Sequence, residues 1–368
     1  MSLAYITATA IRSVAGNTED TIDAIFNKKC NLKIYDSIID DKKVCIGKFP
    51  QEITFQQLLI DSVSEVLKKS NLSSFHNTLL LVGSSVGGMA TTEKIFFKEN
   101  SYSSIDPEKH IINAIATILD DKFKFKSHRS YSTACTSSAN ALKTAKELLV
   151  LNAYENILVV GADEICMTTV FGFSSLGILS DEPCTPFKEN RKGMNVAEGI
   201  GVLLLQNKAT TDSIILAGAG ASSDAYHIAN PDPSSNGAKQ SIFNSLFDAN
   251  IDANQIDYIN AHGTGTGAND LVEANAIIEI FDNVSVSSTK SIIGHTLGAA
   301  GAIEAIISVE VLKQQLLAPQ LDSTNKEKKI NLIDYKKDAE VHYVLSNSFA
   351  FGGNNVSLVF GKKNENKC

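Results

Sequence analysis

The sequence predicts an α/β chain of two similar halves, packed as a five-layer α-β-α-β-α sandwich. Three observations predict it. Short apolar runs recur in the same order in both halves, which suits buried strands. The segments between them are long enough for crossover helices. Two helices are so rich in small residues, and so poor in charge, that they belong between sheets and not on a surface.

The opening run Leu3–Ile11 has a counterpart in Ile214–Ala221. Thr78–Gly83 runs into a Ser/Gly loop, as Ile256–His262 runs into a Gly/Thr loop. Tyr131–Val150 and Val284–Lys313 each read as a short polar strand, a tight turn and a small-residue helix. Each half closes with a hairpin-like pair, Asn156–Gly161 with Gly199–Leu205 and His342–Asn347 with Val356–Phe360. The division therefore falls at residues 1–206 and 207–368. The two interior helices carry Ala139, Ala141, Ala145 and Leu148 in the first half, and Gly298, Ala299, Ala300, Gly301, Ala302 and Ala305 in the second.

Composition bounds the function. At 368 residues and 43% hydrophobic, the chain can bury a large core, in one big domain or two fused ones. A formal net charge of −8 argues against a general nucleic-acid surface. No apolar run reaches the length of a membrane span, and Met1–Ala10 lacks the basic flank of a secretion signal, so a cytoplasmic protein is expected. Six cysteines without Cys-x-x-Cys spacing read as reduced thiols. Cys30, Cys45, Cys166, Cys184 and Cys368 are expected to be structural or incidental.

The sixth cysteine is different in setting. Cys135 lies in Ser-Thr-Ala-Cys-Thr-Ser-Ser-Ala, His262 in Asn-Ala-His-Gly-Thr-Gly-Thr-Gly, and His295 in Ser-Thr-Lys-Ser-Ile-Ile-Gly-His-Thr-Leu-Gly. Small neighbours leave room for a substrate, and a thiol with two imidazoles supplies a nucleophile and two proton or oxyanion partners. With Thr136 or Ser137 opening a helix, Cys135 would sit at its N-terminal end, where free N–H groups lower a thiol pKa. His262 follows a strand, the end at which α/β proteins place their sites. The glycine run after it lacks the Gly-Lys-Ser/Thr of a phosphate loop. Lys290 stands among small and apolar residues, so it should be partly buried and needs a partner.

All three settings resemble the β-ketoacyl-acyl-carrier-protein synthases, the elongating condensing enzymes of the thiolase superfamily. The string Ser288–Gly301 follows the family signature almost throughout, and Asn347-Ser348-Phe349-Ala350-Phe351-Gly352-Gly353-Asn354-Asn355 resembles its Gly-Phe-Gly-Gly loop. The resemblance implies the thiolase fold. It also implies a decarboxylative Claisen condensation, in which Cys135 takes an acyl group and a malonyl-carrier thioester extends it. His262 and His295 would stabilise the enolate, and the backbone N–H groups of Cys135 and Phe351 the tetrahedral oxyanion. Thr264 and Thr266 would bind the phosphopantetheine arm, Glu273 would pair with Lys290, and Val86 and Phe173 would line the acyl pocket. The protein itself needs no metal or redox cofactor for this chemistry, because the phosphopantetheine belongs to the carrier.

The same resemblance implies an acyl carrier protein as partner and a homodimer, or a heterodimer with a chain-length-factor-like homologue. Docking of an acidic carrier would use cations drawn from Lys48, Lys68, Lys69, Lys122, Lys124, Lys126, Arg129, Arg191 and Lys192. Ala350 stands where the family has glycine, and Asn354 where it has a small hydroxyl residue. The segment Asn31–Ser74 looks shortened. Gly177–Gly201 and the residues after Cys135 look closer to synthases of bacterial aryl-polyene and flexirubin pigments than to housekeeping fatty-acid enzymes. A thiolase would need a second catalytic cysteine near the C-terminal loop, an initiating synthase would carry asparagine at His295, and a non-catalytic chain-length factor would lack the nucleophile. The chain has none of these features.

Overall fold

The computed structural model describes residues 3–362 apart from 40–41, 51 and 211–212. Cys368 lies outside the described residues. Eleven strands form one continuous hydrogen-bonded series: β1 Tyr5–Arg12, β2 Leu79–Gly83, β3 Ser127–Tyr131, β4 Asn156–Asp163, β5 Gly199–Gln206, β6 Ile214–Ser223, β7 Tyr258–Asn260, β8 Ser285–Ser287, β9 Asn331–Leu332, β10 Tyr343–Phe349 and β11 Asn354–Lys362. Their spatial order is β9-β8-β7-β10-β11-β6-β1-β5-β4-β2-β3. Among the described strands of this sheet, those of the first and second halves meet at β1 and β6, through the short antiparallel register Tyr5↔Ile215 and Ile6↔Ile214. Both expected hairpin-like pairs are antiparallel ladders, Asn156↔Gln206 to Asp163↔Gly199 and Tyr343↔Gly361 to Phe349↔Asn355.

Strand alternation builds the layers, because successive side chains leave a strand on opposite faces. Leu79 and Leu81 join Ile157, Val159, Leu203 and Leu205 in the central core. Leu80 and Val82 join Leu158, Val160, Val202 and Leu204 in an outer core, beneath helices α1 Phe55–Lys69 and α2 Ala114–Phe123. The second half repeats the rule. Tyr258, Val344, Leu358 and Phe360 face the centre, while Ile259, Leu345 and Val359 face away.

The central layer is helix α3 Ser137–Val150, with α7 Ala300–Gln314 beside it. Between them in sequence lie α4 Met167–Ser175, α5 Asn236–Ala249 and α6 Gly267–Ile280. Helix α3 touches β2 and β4 of one half and β6 and β11 of the other; α7 touches β4, β5, β10 and β11. Helices α5 and α6 cover the outer face of the second half, packing on Ile259, Leu345 and Val359, and the layers together make the five-layer sandwich that the sequence predicts.

The small-residue positions are where these layers touch. A Cβ on Gly301 would lie 2.7 Å from the Ala139 nitrogen, and one on Gly83 would lie 2.3 Å from that of Ser138. A Cβ on Gly161 would meet Ala302 and Ser138 side chains at 2.8 Å. Two strand glycines and one helix glycine thus let α3 seat against both β2–β4 and α7. Gly301→Val is expected to lose at least about 1–3 kcal/mol by overpacking; urea unfolding checks it, and an unchanged midpoint would contradict the tight seat.

Candidate active site

Cys135 sits between β3 and α3, one residue before the helix cap Thr136. Ala134, just before it, has φ +52°, a left-handed turn that a non-glycine residue adopts at some cost. The Thr136 hydroxyl donates to the Thr133 carbonyl at 2.6 Å, and the Ser137 hydroxyl to that of Ala134, also at 2.6 Å. Ser85 Oγ donates to the same Ala134 carbonyl at 3.0 Å. The turn is therefore held from inside and from the β2 loop.

His262 follows β7, and His295 follows the helical turn Lys290–Ile293, which Gly294 ends at φ +79°. The His295 backbone is clamped to the first half: its N–H donates to Asn195 O at 2.7 Å, and its carbonyl accepts from Ala197 N at 2.9 Å. The thiol and one nitrogen of each imidazole all lie within 4.8 Å of one another. The two rings stand edge to face, their centroids 5.2 Å apart at 89°.

Hydrogen bonding assigns one tautomer. Leu297 N–H donates to His295 Nδ1 at 3.0 Å, so in the neutral ring the proton is on Nε2, which has no partner among the described residues. Burial, with the Lys290 charge nearby, holds both imidazoles well below the usual histidine range, so they are neutral at physiological pH.

The thiol differs from its expectation. Burial pushes Cys135 up to about 12, although Lys290 and the residue's own N–H pull the other way. Desolvation therefore outweighs the helix end, and the resting thiol is protonated.

The cavity around these groups is small, about 40 Å³, and mostly apolar. Its walls bring together Cys135, His262, His295, Thr264, Thr266, Phe173 and Phe351, with Asn269 added. Phe173 and Phe351 meet edge on at 6.0 Å. Val86 is not in this wall; it packs behind it, in the cluster that also holds Met194, Leu297 and Phe173. In the Phe351 loop the left-handed positions are Gly352 (φ +80°) and Gly353 (φ +76°). Ala350 is extended at φ −116°, so its methyl group causes no backbone strain.

Lys290 and Glu273 are both buried, but they are not partners. Lys290 pairs with Glu304 of α7. Glu273 is already satisfied by neutral donors: His262 N–H at 2.8 Å, Gly263 N–H at 2.7 Å and Asn347 Nδ2 at 3.1 Å. It fixes the His262 backbone, and burial raises its carboxyl to about 7. Among the described residues Glu304 accepts from Lys290 alone, and a buried carboxylate without such donors needs a cation. The expected pairing is corrected accordingly.

Sequence reasoning also missed Asp163, at the end of β4. It accepts from Ser84 Oγ (2.5 Å), Ser85 N (2.9 Å), Val86 N (3.1 Å) and Gly298 N (2.6 Å), tying the Val86 loop to the His295 loop. Some docking candidates are already engaged. Arg191 is buried, Lys69 pairs with Glu65, and Lys192 pairs with Asp181 and Glu182. The five described cysteines are free thiols, and no helix among the described residues is long and apolar enough to cross a membrane.

Residues 52–211 match the family model of the β-ketoacyl synthase N-terminal domain, and residues 214–324 that of the C-terminal domain. The chain is 32% identical to 3-oxoacyl-[acyl-carrier-protein] synthase 2 of Coxiella burnetii, over 84% of this chain and 82% of that one. It is 31% identical to the enzyme of the same name from Staphylococcus aureus, over 84% and 81%. Among solved structures it is similar to a ketosynthase (ApeO) in complex with its chain length factor (ApeC) from Xenorhabdus doucetiae, with TM-score 0.88, 28% identity and 98% of each chain covered.

Two outcomes test this electrostatic picture. Lys290→Met should cost about 3–5 kcal/mol, because it strands the buried Glu304 carboxylate, and Lys290→Met/Glu304→Gln should regain part of it; denaturant titration of both variants decides. In the free protein, thiolate absorbance near 240 nm from Cys135, read against Cys135→Ala, should rise only well above pH 9. A thiolate step near pH 7 would contradict the raised value.

Proposed function

Because the chain belongs to the β-ketoacyl synthase family, we propose that it condenses an acyl group held on Cys135 with a malonyl thioester presented by an acyl carrier protein. The observation that carries this reading is the gathering of one thiol and two neutral imidazoles within 4.8 Å, with His295 Nε2 unpartnered among the described residues. A buried donor without a partner is costly unless substrate satisfies it.

In the first step the Cys135 sulfur attacks the acyl thioester as a neighbouring neutral imidazole takes its proton. The new carbon–sulfur bond replaces that of the carrier, which leaves as the thiol with that proton. The protonated resting thiol makes this base necessary. In the second step, loss of carbon dioxide from malonyl carrier leaves an enolate, whose oxygen accepts N–H bonds from His262 and His295. The enolate carbon attacks the Cys135 thioester, with the tetrahedral oxyanion on the backbone N–H groups of Cys135 and Phe351. Collapse expels the Cys135 thiolate, which takes up a proton from solvent in place of the one that left with the first carrier, and leaves a 3-oxoacyl chain on the carrier. Burial, reinforced by the Lys290 charge that Glu304 holds in place, keeps both imidazoles neutral; His295 is then a donor through Nε2, which leaves His262 as the base. Glu273 positions His262.

We read the Phe173–Phe351 edge contact in the cavity wall as the one that acyl loading displaces. Thr264 and Thr266 at the mouth receive the phosphopantetheine arm. We read residues 1–206 and 207–368 as the two duplicated units, supported by the order of strands in the sheet, in which the strands of each half are grouped together on either side of the β1–β6 pair. The protein works in the cytoplasm, a reading supported by its free thiols. It pairs with a second copy or a chain-length-factor-like homologue, in a polyene-type or fatty-acid elongation pathway. The likeness to a ketosynthase complexed with its chain length factor supports that placing.

Cys135→Ala should abolish condensation in a folded protein, since the thiol sits at a loop–helix junction. His262→Ala and His295→Ala should each block malonyl decarboxylation more severely than acylation of Cys135. Intact-mass spectrometry with acyl and malonyl carrier substrates separates the two steps, and equal loss of acylation in all three variants would contradict the assigned roles. Val86→Phe should shorten the longest acyl group loaded onto Cys135 while short chains persist, because a ring in that cluster overpacks by about 1–3 kcal/mol. An unchanged chain-length distribution would remove Val86 from the pocket.

A further inference from the structure

The loop that carries both mouth threonines alternates with glycine, Gly263-Thr264-Gly265-Thr266-Gly267, and such a sequence does not fix its own shape. Something outside it must. The Arg191 side chain is only 4% exposed, and its guanidinium grips the far end of this loop. Nε donates to the Thr266 carbonyl at 3.1 Å and Nη2 to that of Gly267 at 2.7 Å. Nη1 donates to the Lys188 carbonyl at 2.6 Å and pairs with Glu327 Oε2 at 2.5 Å. Asp270 Oδ2, 3.4 Å from Nε, completes the set. The near end belongs to Asp270 itself, which accepts from Thr264 N at 3.0 Å and Gly265 N at 3.2 Å, and from Phe187 N at 2.8 Å.

We propose that Arg191 is a positioning residue for the carrier-borne arm. By holding the two carbonyls that follow the Thr266 side chain, it keeps Thr264 and Thr266, whose hydroxyls are 2.9 Å apart, in the lining of the cavity. The planar guanidinium spans consecutive carbonyls and two carboxylates at once; a lysine ammonium, a compact point on a flexible stem, does not. The inference rests on the reading that these threonines receive the arm, and it explains why a cation expected to meet the carrier on the surface is instead buried behind the loop.

The test compares two acyl donors for Cys135, hexanoyl-pantetheine and the S-ethyl thioester of hexanoic acid, which lacks the amides of the arm. Wild type is expected to prefer the pantetheine thioester. Arg191→Lys should lower the ratio of kcat/KM for pantetheine over ethyl thioester about tenfold, mainly through KM, since small misplacements of a binding group have effects of this order. Thr266→Val should add little to that loss in the Arg191→Lys background. Glu327→Gln, which removes only the outer carboxylate of the clamp, should shift the ratio the same way by less, and it serves where Arg191→Lys does not fold. An unchanged ratio in a folded Arg191→Lys or Glu327→Gln protein overturns the proposal. A wild type that is acylated but shows no pantetheine preference overturns the threonine reading and this proposal with it. A wild type that neither donor acylates overturns the proposed function itself, and the positioning role with it.

Discussion

The structure depends on the closeness of α3 to α7. Ordinary helix pairs keep their axes 8–10 Å apart, as their side chains dictate. Here Gly301 lies against Ala139 so closely that a single methyl group would collide with backbone. The same helix α3 rests on Gly83 and Gly161, where no side chain intervenes between strand and helix. Cys135 rides at the start of α3 and His295 a few residues before α7. The separation of thiol and imidazole is thus set by how closely the two helices pack, and not by either loop alone.

That closeness buries the site, and burial governs the protonation of its thiol, its two imidazoles and Glu273. The imidazoles are held neutral, the thiol is held protonated, and Glu273 is raised to about 7. A neutral thiol is a weak nucleophile in isolation, but beside a neutral imidazole it can lose its proton as it attacks. The neutral state also lets an imidazole donate through one nitrogen while its other nitrogen accepts, as His295 does from Leu297. Lys290 contributes a fixed positive charge that helps to hold the imidazoles neutral, and Glu304 makes its burial tolerable.

Much of this was legible in the sequence, and what was not has a physical reason. Strand alternation and small-residue helices are local patterns, so the sandwich, the paired hairpins and the Cys135, His262 and His295 settings could all be read. Strand ends were less legible: Ile256–His262 is strand only over Tyr258–Asn260, because the chain turns into the glycine loop there. Partnerships between distant residues left no local trace. Glu304 and Glu273 are both acidic residues on helices near the site, and only the saturation of Glu273 by N–H donors shows why Lys290 takes the other. The thiol pKa failed for a similar reason, since the helix end is visible in sequence while the burial around it is not. Arg191 read as a surface cation because its run, Lys188-Glu189-Asn190-Arg191-Lys192, is polar throughout.

Asp163 shows what those unseen partnerships do. It belongs to the first half by sequence, and it holds the Val86 loop by Ser84, Ser85 and Val86 while also holding Gly298 of the second. Burial raises its carboxyl to about 6, so the folded protein binds this proton more tightly than the unfolded chain does. The stability it contributes is therefore fullest below about pH 4 and is lost as pH rises through about 6. At neutral pH the charge is retained at that cost, because an ionised carboxylate accepts from all these donors at once and a protonated one offers fewer lone pairs. The Val86 loop and the His295 loop are held in register by an anion that burial disfavours. A tie of this kind serves geometry in the site more than stability of the fold.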